Sequence, residues 1–155
     1  MERYAQLELD RQLCFPLYAA SRALVRSYAP HLEPLGLTYP QYLTMLALWQ
    51  SDGQATVSEL GRLLRLDSGT LTPVLKRLEA AGFVTRRRDA ADERRVVIEV
   101  TADGEQLQDR AAAVPAAVAA RLGLDLEDGA ALHALLYRVL HALDVADDTP
   151  PLAAR

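Results

Sequence analysis

The sequence predicts a mostly helical chain with one small β-hairpin, and three observations carry that fold class. Apolar residues recur at helical spacing along most of the chain, as in Leu71, Val74, Leu75 and Leu78. Two β-favouring stretches, FVTRRR and RRVVIEV, flank the polar tract DAADE. Just before them, two short helical segments are joined by a turn of three to four residues, the pattern of a helix-turn-helix. With 155 residues there is enough chain for one domain with a real core, so a single unit over 1–155 is expected.

A first helix covers about Asp10 to Tyr28, with Leu13, Leu17, Ala20, Leu24 and Val25 on its apolar face. Pro16 leaves two versions open: a helix capped by Asp10 and kinked near Pro16, or one that begins at Pro16. Both place Cys14 near the N-terminal end. In TYPQYLTMLALWQ, Thr38 and Gln41 have capping-box spacing and Pro40 sits in the first turn, which predicts a second helix to about Asp52. Thr56 and Glu59 repeat that spacing at the head of VSELGRLL, a short third helix ending near Arg65. Asp67 or Ser68 caps the fourth, which Gly82 stops.

The hairpin then forms a wing with a charged tip, making 38–101 a winged helix-turn-helix. Thr101 opens a helix from about Ala102 to Ala120, with a kink at Pro115. Gly123 breaks the chain, and Asp125 caps a last helix from Leu126 to about Val145. The helices of 10–36 and 102–145 frame the winged unit, and their apolar faces call for a partner, which favours a dimer.

The net charge is −4, yet residues 62–95 hold nine basic side chains against five acidic ones. A basic segment in an acidic body points to a local phosphate-binding surface. On the fourth helix the inward stripe leaves Thr70, Thr72, Pro73, Lys76 and Arg77 on or near the outer face, and Ser68, Thr70 and Thr72 are donors or acceptors suited to base edges or backbone. Arg86 adds a cation from the first wing strand. At the tip Arg94, beside Asp92 and Glu93, suits a narrow minor groove. Double-stranded DNA is the expected partner.

The helix-turn-helix followed by RRRDAADERRVVIEVTADG resembles the wing and next helix of the MarR family. More narrowly, LCFPLYAASR, LTYPQYLTMLALW and LDSGTLTPVLKRLEAAGFVTRRR are similar to the organic hydroperoxide resistance regulators within it. The likeness runs from about Leu13 into the 140s. It implies a homodimer on a palindromic operator and a repressor that lets go of DNA when an organic hydroperoxide oxidises the cysteine matching Cys14. It also implies that two tyrosines, matching Tyr28 and Tyr39, hydrogen-bond the reduced sulfur. An attacking thiol must be thiolate, which a helix N-terminus or phenolic donors favour. Since the chain has one cysteine, a sulfenic acid needs a small cellular thiol, or further oxidation, to complete the event.

Half the residues are apolar and a quarter charged, a balance too polar for a membrane protein. The charged start MERYAQLELD lacks the apolar core of a secretory signal, so a cytoplasmic location is expected. His31, His133 and His141 are too scattered for a metal site, and neither a glycine-rich phosphate loop nor a hydrolytic triad stands out. The expectation is a regulator without cofactor or enzymatic activity. Two other readings remain: a MarR-type repressor released by a reversible apolar or phenolic ligand, and a thiol peroxidase in which Cys14 turns over.

Overall fold

A computed structural model describes residues 4–90, 92 and 94–147. They fall into two compact units, one up to Ala117 and one from Val118 onward. In the first are α1 (Cys14–Leu32), α2 (Tyr39–Gln50), β1 (Gln54–Thr56), α3 (Val57–Leu64), α4 (Ser68–Ala80), β2 (Val84–Arg88), β3 (Val96–Val100) and α5 (Ala102–Ala111). Helix α6 (Val114–Ala119) crosses the boundary in sequence, and α7 (Leu126–Asp147) lies in the second unit. The fold is mostly helical with a small antiparallel sheet.

Local chemistry explains where the helices begin. Gln41 accepts the backbone N–H of Thr38 at 2.7 Å, and Glu59 accepts that of Thr56 at 2.8 Å, so both capping boxes form. Asp67, rather than Ser68, caps α4 by accepting the Thr70 N–H at 2.9 Å. Helix α1 starts at Cys14, earlier than one sequence version and later than the other. Pro16 is only its third residue, where the missing N–H has no helical acceptor to lose and the ring's clash partner, residue 12, lies outside the helix.

Two differences from the sequence reading have physical causes. The wing is not a bare hairpin: β1 pairs with β3, giving a three-stranded sheet in the order β1-β3-β2, with Ala55 opposite Ile98. The expected helix over 102–120 is broken in two. A helix running through Pro115 would press its ring on the carbonyl of Ala111, so α5 ends at Ala111 and Pro115 sits instead in the first turn of α6.

The core of the first unit is built by Tyr42, Met45 and Leu48 of α2, Leu60 of α3, Leu71, Leu75 and Leu78 of α4, and Ile98 of β3, all buried. Gly82, at φ 81°, turns the chain from α4 into β2. At Gly104 a Cβ would lie 2.2 Å from the Phe83 carbonyl oxygen, so only glycine lets α5 start against the head of β2. Trp49 seals that junction, its indole N–H donating to the Gly104 carbonyl at 3.1 Å. Among the described residues, no helix is long and apolar enough to cross a membrane.

Candidate nucleic-acid interface and thiol site

Helices α3 and α4 are joined by Arg65 to Asp67, with Arg65 in the left-handed region at φ 55°. Burial of Leu71, Leu75 and Leu78 fixes the rotation of α4 and sends Ser68, Thr70, Pro73, Lys76 and Arg77 to its exposed side. Thr72 is only half-exposed, and its hydroxyl donates to the Ser68 carbonyl at 2.6 Å. Thr70 is exposed, but its hydroxyl donates to Asp67 Oδ2 at 2.8 Å. These bonds hold the Asp67 carboxyl below its ordinary range, the Thr70 backbone N–H contributing most.

The basic residues of the wing divide by face. Val84 is buried, and strand alternation puts Arg86 on the same side. Arg86 is accordingly half-buried, with Nη1 4.0 Å from Glu79 and Nε enclosed without a hydrogen-bond partner. Arg86 is thus partly covered where Arg87, Arg88, Arg94 and Arg95 are exposed. Arg87 takes the opposite face and makes a two-point bond with Glu99, Nε–Oε2 3.0 Å and Nη2–Oε1 3.2 Å. At the tip the Arg94 side chain is 91% exposed, while its Nε lies 3.2 Å from Asp92. Asp92 also accepts the Arg94 backbone N–H at 3.1 Å, and its carboxyl is held low chiefly by the Arg94 side chain. Arg94 therefore projects from a tethered base. Glu93, the other carboxylate expected there, lies outside the described residues.

At the head of α3, Glu59 feels the charge of the wing, which sequence reasoning did not find. Glu59 is held below its ordinary range mainly by the backbone and hydroxyl of Thr56, with Arg95 and Arg62 adding their charge. Its signal in the sequence is only the capping spacing, because Arg95 reaches it through the fold.

Cys14 is the first residue of α1 and is exposed. Tyr28 and Tyr39 are near each other, ring centroids 4.9 Å apart, and Tyr28 also meets Tyr42 at 5.7 Å. Burial, followed by the neighbouring Tyr28, pushes the Tyr39 phenol up, so Tyr39 keeps its proton and remains a donor. Cys14 and Tyr28 are fourteen residues apart on one helix, about 21 Å along its axis. No phenol of that pair can meet Cys14 within one chain. A groove of about 660 Å³ lies beside Tyr39, lined by Val25, Ala29, Leu32, Leu37 and Pro40 among others.

The family model described as Transcriptional regulator SarA/Rot matches residues 26–111. The organic hydroperoxide resistance transcriptional regulator of Bacillus subtilis is 44% identical over 144 residues, covering 91% of this chain and 95% of its own length. The HTH-type transcriptional regulator TtmR of Methylorubrum extorquens is 49% identical over 124 residues, 80% of this chain and 63% of that protein. Among solved structures, reduced AbfR bound to DNA superposes with a TM-score of 0.70 at 38% identity, covering 89% of this chain and 97% of the other. AbfR, a protein of Staphylococcus epidermidis, is also solved overoxidised on DNA (TM-score 0.71, 39% identity, 88% and 96% covered) and in a disulfide form (0.62, 36%, 93% and 95%).

Proposed function

This chain belongs to the MarR-like SarA/Rot family of transcriptional regulators, and we propose that it is a homodimeric repressor that grips a palindromic operator and releases it when an organic hydroperoxide oxidises Cys14. The observation that carries this reading is the exposed thiol at the first residue of α1, in a chain that also presents α4 and the Arg94 wing outward. Support comes from a relative named for organic hydroperoxide resistance and from AbfR, solved on DNA in two oxidation states.

In the dimer each protomer lays the exposed face of α4 in a major groove and Arg94 in the adjoining minor groove. Two copies also resolve the distance along α1: phenols that the length of α1 keeps from Cys14 in their own chain become reachable only from a partner. The Cys14 thiolate attacks one peroxide oxygen, the O–O bond breaks, and the products are a sulfenic acid and an alkoxide that takes a proton to become the alcohol. A small cellular thiol then displaces hydroxide from the sulfenic sulfur, giving a mixed disulfide and water. The change is stoichiometric signalling rather than catalytic turnover. With a partner packed on the start of α1, a bulky adduct at Cys14 supplies the strain that misaligns the two half-sites, and a thousandfold loss of affinity requires only about 4 kcal/mol.

The test is a titration of operator DNA with wild type and Cys14→Ser, each with and without an organic hydroperoxide and a small thiol. Both proteins bind when reduced, and only wild type releases DNA on treatment, with dithiothreitol restoring binding. Release of Cys14→Ser at the wild-type dose transfers the role to a reversible ligand.

A further inference from the structure

We propose that Asp67 and Thr70 form an acceptor-only base reader that selects cytosine at one position of each operator half-site. The inference rests on the DNA-binding reading above and adds to it the chemical identity of the base that the head of α4 takes.

Asp67 Oδ1 accepts the Thr70 backbone N–H at 2.9 Å, and Asp67 Oδ2 lies 2.8 Å from Thr70 Oγ1. An ionised carboxylate has no proton to give, so the hydroxyl hydrogen of Thr70 is the one in that bond, and a threonine has no second. Both residues are exposed at the N-terminal end of α4, and Thr70 shares its outward side with Pro73 and Arg77. What they offer to a ligand is lone pairs: those left on the carboxylate, each oxygen having more than one, and those of Oγ1. The hydroxyl of Thr72 is likewise spent on the Ser68 carbonyl at 2.6 Å, so it adds no donor. Gly69 keeps the carboxylate uncovered, since a Cβ there would sit 3.0 Å from Asp67 Oδ1.

The bases differ in what they show to such a surface. In the major groove guanine displays two acceptors, thymine an acceptor and a methyl, adenine a donor beside an acceptor, and cytosine its N4 amine as a donor alone. Acceptors facing acceptors repel, so guanine and thymine are refused. Adenine gives one bond and one clash at N7. Cytosine gives a bond without a clash, and the order of preference is cytosine, then adenine, then thymine and guanine. The carboxylate also repels every phosphate it nears, which weakens indiscriminate binding until a donor edge offsets it.

The experiment selects a randomised duplex library with the reduced full-length protein and compares base preferences for wild type, Asp67→Asn and Thr70→Val. Wild type is expected to prefer cytosine over guanine and thymine by about tenfold at one position per half-site, with adenine between. Asparagine is as good an N-cap as aspartate but presents a donor beside an acceptor, so Asp67→Asn moves the preference at that position to adenine. Thr70→Val leaves the Asp67 cap on the backbone and lowers the cytosine preference at the same position. A wild-type matrix with no cytosine-demanding position overturns the proposal. So does an Asp67→Asn matrix identical to wild type, which would reduce Asp67 to a helix cap. Should Asp67→Asn not fold, an unchanged Thr70→Val matrix overturns it alone. Wild type that enriches no sequence at all rejects the DNA-binding reading itself, a different failure.

Discussion

The segment from α2 to β3 and the terminal helix α7 deal with their apolar residues in opposite ways. Between α2 and β3, the leucines at 48, 60, 71, 75 and 78 and Ile98 are buried within one chain. In α7, Leu132, Leu135, Val139 and Leu143 follow helical spacing yet all remain exposed, and Leu126 ahead of them is 95% exposed. Helix α1 resembles α7 in its first turns, where Phe15, Leu17 and Tyr18 are exposed, as is Leu13 just before them. Burying a leucine is worth roughly 1.5–3 kcal/mol, so the winged segment already holds that free energy while the flanking helices have yet to gain it. The winged segment is packed within the single chain, and in the dimer proposed above the flanking helices would be finished only by association.

The largest effect expected from this contrast is in the winged core. Leu75 is 1% exposed, and Leu75→Ala should cost about 3 kcal/mol through lost burial and the cavity left behind. Urea unfolding at several protein concentrations measures it, and the loss should stay the same across them. A loss below about 1 kcal/mol would mean that α4 is not packed as described.

The flanking helix should answer differently. Leu135→Glu puts a charge on the exposed stripe of α7 and should raise the dissociation constant of the dimer about tenfold or more, read by sedimentation equilibrium. Secondary structure in the monomer should hold, since Leu135 is already exposed there. An unchanged dissociation constant would show that two copies do not meet on this stripe.

The smallest effect concerns pH at the wing base. The Glu59 carboxyl is lowered in the folded state by Thr56 and the nearby Arg95 and Arg62. A depressed carboxyl contributes stability that is present above its ordinary value of 4.5 and is lost as pH falls through the lower folded value. Glu59→Gln keeps an oxygen for the Thr56 cap but does not titrate. Its urea midpoint should therefore fall less than that of wild type between neutral pH and about pH 3. Parallel curves would assign the acid sensitivity to other carboxylates.

What the sequence determined by itself is whatever depends on neighbours three or four residues away. Thr38 with Gln41, Thr56 with Glu59, and Thr101 with the Gly104 amide start helices where their spacing predicts, because each bond closes within one turn. The inward stripe of α4, and with it the outward placing of Thr70, Lys76 and Arg77, follows from the same periodicity. The tertiary structure alone decided the rest. The short strand Gln54–Thr56 exists because β3, more than forty residues on, supplies its hydrogen bonds. Arg86 turns toward Glu79 because the register of β2 is set by burying Val84, a choice that its own charge does not influence. Cys14 and Tyr28, read from the sequence as one site, are held apart within the chain by the length of α1. A helix fixes the distance between its own residues, so only a second molecule can bring such a pair together.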